Sequence, residues 1–249
     1  MNSTSLEILF EDNHLIIVNK KSGEIVQGDK TGDPTLAEKI KKYIKKKYNK
    51  KGDVFLGTIH RLDRPTSGII VYAKTSKALS RMNELFRNNK IKKKYWAIIE
   101  NKPPQDQGKL ENYLLKNQKQ NKSYVVEKNK GKLAILSYEL IKKLKNYNLV
   151  EINLQTGRHH QIRTQLSNIK CFIKGDVKYG ARRSNKDMSI SLHARTMQFI
   201  HPVKKEEVIV TAKTPNSDGE KKRVKIGNNN KGINWLPPIP LLKRKMFLK

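Results

Sequence analysis

His60-Arg61-Leu62-Asp63-Arg64-Pro65-Thr66-Ser67-Gly68-Ile69-Ile70-Val71-Tyr72-Ala73 sets one carboxylate between two arginines, then runs through a Thr-Ser-Gly turn into an unbroken apolar segment. A short apolar run bounded by turn residues reads as a buried strand. The start of such a strand is rigid, and rigid positions hold reactive groups in place. Arg61 and Arg64 supply positive charge beside Asp63, and guanidinium groups also grip phosphate well. The stretch therefore predicts a buried strand led by carboxylate chemistry that acts on an anionic polymer.

Reading outward, Leu6 to Phe10 and Leu15 to Val18 flank the turn residues Asp12-Asn13-His14 and predict a hairpin. Leu36, Ile40, Tyr43, Ile44 and Tyr48 recur at helical spacing over 35–48, started either by Asp33-Pro34 or by Thr35 with Glu38 as a capping box. Leu79, Met82, Leu85 and Phe86 predict a second helix over 76–88. Tyr95 to Ile99 reads as a strand entered through Lys92-Lys93-Lys94, and 133–141 and 147–154 as two more. A helix is expected over 158–169, and a final hairpin from Leu192–Phe199 and Val208–Ala212 around His201-Pro202-Val203. Strands dominate and do not alternate regularly with helices. That predicts an α+β fold on a mixed, largely antiparallel sheet with flanking helices. From Pro215 the texture turns loop-like and basic. The expected organisation is a domain over 1–215 and a basic, partly ordered extension over 216–249.

The 249 residues hold 53 Lys and Arg against 22 Asp and Glu, a formal net charge of +31. A lysine-rich proteome would explain part of this excess, but its size points to a polyanion, and nucleic acid is the commonest one. Cys171 is the only cysteine, which excludes an intramolecular disulfide and a cysteine-held zinc. Met1 to Glu11 lack a basic start followed by an apolar core, and no apolar run reaches the roughly 18 residues of a membrane span. The expected setting is soluble and cytoplasmic, with no membrane contact.

A second dense segment is Gln155-Thr156-Gly157-Arg158-His159-His160-Gln161-Ile162-Arg163. It follows one expected strand and opens an expected helix, where free backbone N–H groups suit phosphate. Adjacent histidines on a helix would point about 100° apart, which suits chelation poorly. No carboxylate or cysteine stands at ligand spacing, so no metal site is expected. Taken singly, Asp63 reads as an ion-pair partner, Tyr95 as core, Arg163 as a surface charge and His60 as a structural histidine.

Together these residues resemble the RluA-type pseudouridine synthases. His60-Arg61-Leu62-Asp63 with Thr66-Ser67-Gly68 matches the family's signature around its catalytic aspartate, and Lys94-Tyr95-Trp96-Ala97 its tyrosine segment. Gly157-Arg158 with His160-Gln161-Ile162-Arg163 matches a third motif. Gly175-Asp176, Tyr179-Gly180, Leu192-His193-Ala194 and His201-Pro202 continue the match in order, from about residue 6 to 215.

The resemblance implies isomerisation of uridine to pseudouridine in structured RNA, ribosomal or transfer, with no cofactor. It implies catalytic roles for Asp63, Tyr95 and Arg163. Asp63 would act as nucleophile at C1′ or as base at C2′, Arg163 would pair with it, and Tyr95 would pack on the uracil and assist at C5. It further implies that the target base is flipped out, that Arg61 fills the vacated stack, and that Arg64, Arg158 and His160 contact RNA. No protein partner is implied, and a monomer is expected. The chain departs at Lys21, where proline is usual and whose loss should loosen a turn, and at His159, where threonine is common. Many relatives carry a small RNA-binding domain ahead of this pattern, which here starts almost at Met1; that module is expected to be lacking.

Two other classes compete. A non-catalytic RNA-binding protein explains the charge but not a buried strand led by a carboxylate. A metal-dependent nuclease needs clustered carboxylates, and Asp63 has no companion nearby in sequence.

Overall fold

The computed structural model describes residues 6–28 and 32–215. The extension expected at 216–249 lies outside them.

Apolar residues on both faces bury two strands between two cores. In β2 (Leu15–Lys20) and β4 (Ser67–Ala73), antiparallel neighbours, successive residues point to opposite sides of the sheet. Leu15, Ile17, Ile69 and Val71 enter one core, and Ile16, Val18, Ile70 and Tyr72 enter another. Each side carries its own helices. The second core is closed by α1 (Leu36–Lys47), whose Leu36, Ile40 and Ile44 are buried and whose N-terminus carries the expected Thr35–Glu38 box. The larger core is closed by α2 (Ser76–Arg87), through Ala78 and Met82, and by α3 (Gln161–Asn168), through Ile162 and Leu166.

The remaining strands are β1 (Ile8–Glu11), β3 (Gly57–Thr58), β5 (Lys92–Ile99), β6 (Gln107–Asn117), β7 (Lys122–Val126), β8 (Lys132–Lys143), β9 (Asn148–Leu154), β10 (Leu192–Ile200) and β11 (Glu207–Thr211). They form one sheet in the order β1-β2-β4-β10-β5-β9-β8-β6-β7, with β11 beside β10 and β3 beside β4. Among the described pairings, β4 with β10 is parallel and the others are antiparallel. The mixed, largely antiparallel α+β expectation is met.

At the parallel seam the backbones approach closely. A Cβ on Gly68, whose φ is +116°, would fall 2.4 Å from the Ala194 carbonyl oxygen. Only glycine fits there, so the Thr-Ser-Gly turn is the joint that brings the Asp63 loop against β10.

Two expectations need correction. The helix predicted over 158–169 begins only at Gln161, because His160 takes a left-handed conformation (φ 51°) that no helix continues. The hairpin β6–β7 was not foreseen at all. β6 mixes lysine, glutamate and asparagine with leucine and tyrosine and is largely exposed, while β7 reads Lys-Ser-Tyr-Val-Val and is mostly half-buried.

Candidate active site

Helix α3 is polar yet buried, because its side chains saturate strand carbonyls. Gln165 Nε2 donates to the carbonyls of Leu110 and Ala134 at 3.2 and 3.1 Å. This anchoring fixes Arg163, one turn into the helix, with its side chain only 6 % exposed. Its Nε and Nη2 donate to Asp176 at 2.7 and 2.8 Å, a side-on fork on a carboxylate that is 1 % exposed. Its remaining Nη1 donates to Asp63 Oδ2 at 3.0 Å. Burial works against the guanidinium charge, but Asp176 and Asp63 outweigh it and hold the group above its ordinary range.

Asp63 sits four residues before β4, in a turn closed by Thr66 N–H donating to the Asp63 carbonyl at 3.0 Å. Its side chain is 29 % exposed, so it faces the open side of the site. The same Oδ2 lies 3.5 Å from His160 Nε2. Burial, and then the charge of Arg163, push His160 down to about 2, so the ring is neutral. Its Nδ1 lies 2.9 Å from the Tyr179 hydroxyl, which accepts from Ser123 N–H at 2.8 Å. A hydroxyl that accepts there is free to donate to Nδ1. In the tautomer where it does so, the ring proton is on Nε2, the nitrogen on the Asp63 side.

Tyr95 is the residue of β5 that faces this cluster, 7 % exposed and flanked by Ala194 of β10 and Ile152 of β9. Burial first, and the nearby Asp63 charge second, hold its phenol well above the usual range. It is a neutral phenol that can pack and donate.

The loop carrying Asp63 is gripped from β2. Lys20 is fully buried, and its Nζ donates to the carbonyls of Lys21 and Arg64 at 3.0 and 3.1 Å. Burial lowers this ammonium to about 8, opposed by the charges of Glu24 and Asp63. Ser22 Oγ donates to the Pro65 carbonyl at 2.9 Å, and Gly23 N–H to that of Arg64 at 2.9 Å. Lys21, standing where proline was expected, uses its N–H to donate to Glu24 Oε2 at 2.9 Å. The turn has gained a bond that proline cannot make.

The structure thus unites Asp63, Tyr95, Arg163 and His160. It leaves Arg61 exposed and places Arg64 on Asp33 at 2.9 Å, so the guanidinium on Asp63 is that of Arg163, not of a flanking arginine. Arg158 is exposed, with Nε donating to the Leu133 carbonyl at 2.8 Å. His160 is buried beside the carboxylate and not on the basic surface. His159 and His160 precede the helix, and their rings stack at 3.8 Å. His60 Nε2 accepts from Val71 N–H at 3.1 Å, the structural role expected of it. Sequence reasoning gave Asp176, Tyr179 and Lys20 no role. The Gly175-Asp176 match to the family pattern was the sequence signal that pointed toward Asp176. Among the described residues, no three His, Cys, Asp or Glu side chains group to hold a metal. No described helix is long and apolar enough to cross a membrane.

The family model described as RNA pseudouridylate synthase matches residues 14–168. Ribosomal large subunit pseudouridine synthase D of Zymomonas mobilis is 34 % identical over 221 residues, covering 84 % of this chain and 69 % of its own length. Ribosomal large subunit pseudouridine synthase C of Buchnera aphidicola is 34 % identical over 213 residues, covering 82 % and 66 %. The chain spans about two thirds of the length of these relatives. The solved structure of human RNA pseudouridylate synthase domain containing 4 superposes with a TM-score of 0.71 at 26 % identity, covering 84 % of this chain and 88 % of that one.

Proposed function

Since the chain belongs to the RNA pseudouridylate synthase family and is an RNA pseudouridine synthase of the RluA type, we propose that it acts on ribosomal RNA of the large subunit, with Asp63 as its catalytic carboxylate. The observation that carries the reading is the Asp63–Arg163–Asp176 chain. One oxygen of Asp63 is held by Arg163, with His160 Nε2 3.5 Å away, and the arginine is itself fixed by a second carboxylate. The carboxylate is oriented at no cost to its open side, where it is part exposed.

In the reaction, the bond from N1 of uracil to C1′ breaks, the base rotates, and C5 bonds to C1′. C5 loses its proton to solvent and N1 takes one up, so nothing is oxidised and no group is transferred. Asp63 either attacks C1′ or removes the C2′ proton, and both need a positioned carboxylate. Tyr95, a neutral phenol, packs against the uracil, and its help at C5 comes through packing and hydrogen bonding. The target uridine must leave the stack to reach a carboxylate set in a protein turn. Arg61, exposed two residues before Asp63, is the side chain to fill the gap, since guanidinium planes stack on bases.

The ribosomal assignment rests on the similarity to ribosomal large subunit pseudouridine synthases C and D. Mapping pseudouridines in total RNA from cells with and without the gene tests it. Loss of a site in large-subunit ribosomal RNA is expected, and loss confined to transfer RNA would overturn the assignment.

A further inference from the structure

Lys93 stands two residues before Tyr95 on β5, so the two side chains share one face of the sheet, about 6.6 Å apart along the strand. It is half-buried, and burial lowers its ammonium with nothing opposing it. Its Nζ lies 5.7 Å from the centre of the Phe86 ring. A Cβ built on Gly157 would be 3.8 Å from the same atom, which places the ammonium against the Gly157-Arg158 loop that leads to Arg163. His60 also feels its charge. Among the described residues no carboxylate and no hydrogen-bond acceptor meets it.

A cavity of about 560 Å³ lies at this start of β5, with an apolar wall from Ile91, Ile135 and Leu154 and a polar side from Lys93, Gln155 and Thr156. Lys92 and Lys94 point to the other face of β5, where Lys94 pairs with Glu151, so Lys93 is the β5 lysine on the Tyr95 side. A desolvated ammonium without an anion is costly, and here it stands beside the residue that packs on the target base.

We propose that Lys93 binds an RNA phosphodiester adjoining the target uridine, and that the cavity receives this stretch of backbone. The inference rests on the RNA-modifying reading above and adds to it a contact that positions the strand relative to Tyr95.

The experiment compares the salt dependence of binding to a large-subunit RNA fragment for the full chain carrying Asp63→Asn, alone and with Lys93→Met. Methionine keeps the stem and removes the charge. Loss of one phosphate contact should weaken binding at low salt and make the slope of log K against log salt shallower by roughly 0.7. Lys93→Arg should restore the slope, and Lys45→Met, on the exposed side of α1, should leave it unchanged. An unchanged slope for Lys93→Met overturns the proposal. Thermal unfolding verifies that the variants fold, and Lys93→Gln serves if the methionine variant does not. Pseudouridine formation by the unmodified protein on the same fragment is scored separately. Its failure would count against the ribosomal reading, while the slope comparison would still decide Lys93.

Discussion

Arg163 touches Asp63 with Nη1 alone, at 3.0 Å, while its Nε and Nη2 are held by Asp176. The single contact matters. An arginine free to turn would fork onto Asp63 with two nitrogens and occupy both carboxylate oxygens. With Asp176 holding the other edge, Arg163 engages only Oδ2 of Asp63.

The first prediction follows from that division. Asp176→Asn removes the charge that holds two of the three bonding nitrogens and presents an amide NH₂ to a guanidinium. Breaking one partner of a buried pair costs about 3 kcal/mol, so the melting temperature should fall. The single-turnover rate of the folded protein should drop by more than roughly tenfold, which corresponds to about 1.4 kcal/mol. Single-turnover kinetics at saturating RNA checks this, and a near-normal rate would mean that Asp176 only stabilises the fold.

His159 joins the unforeseen hairpin to the site. Its Nδ1 meets Ser123 Oγ at 2.8 Å, its Nε2 meets Asn121 at 3.2 Å, and its ring stacks on His160. His159→Thr, the residue expected from the family pattern, loses the reach to Asn121 and the stack. Stability should fall by about 1 kcal/mol, while the chemical step changes little, because Arg163 still holds Asp63. Denaturant unfolding should show the loss, and an unchanged midpoint would contradict the clamp.

Acid stability should reveal the buried histidines. Burial lowers His193 to about 4 and His160 to about 2, both from an ordinary 6.5. The unfolded chain therefore binds protons that the folded chain refuses as the pH falls below about 6.5. Stability is full above that pH and declines on acidification, until His193 protonates near 4 and His160 near 2. Each group contributes a slope of about 1.4 kcal/mol per pH unit inside its own window. Urea unfolding of the protein and of His193→Gln between pH 7 and 4.5 should show a shallower decline for the variant.

Much of this was legible in the chain, for identifiable reasons. The Thr35–Glu38 box and the apolar runs of β2 and β4 are local signals, and the structure reproduces them. The pairing of Asp63 with Arg163, 3.0 Å apart in the structure, was legible only through the family resemblance, since Arg163 taken singly reads as a surface charge. What escaped depends on tertiary contact. Asp176 follows a glycine with no periodic neighbours, and its bond to Arg163 spans 13 residues. Lys20 reads as a solvated lysine, yet two backbone carbonyls draw it into the core. β6 scatters lysine, glutamate and asparagine among its leucines, and the apolar part of β7 is only Tyr124-Val125-Val126, so neither strand gives a run long enough to stand out from loop. The early start given to α3 ignored that a residue with positive φ, His160, closes the loop before it.

The central claim is that Asp63 performs the chemistry on RNA. Forming the bond from C5 to C1′ releases the C5 hydrogen, which neither simple binding nor strand cleavage would do. Ribosomal RNA tritiated at uridine C5, taken from cells lacking the gene, should release tritium to water on adding the purified protein, with the RNA length unchanged. Asp63→Asn keeps the shape and should bind the same RNA while releasing none. Release by the Asp63→Asn protein at a rate near that of the unmodified one would contradict the account.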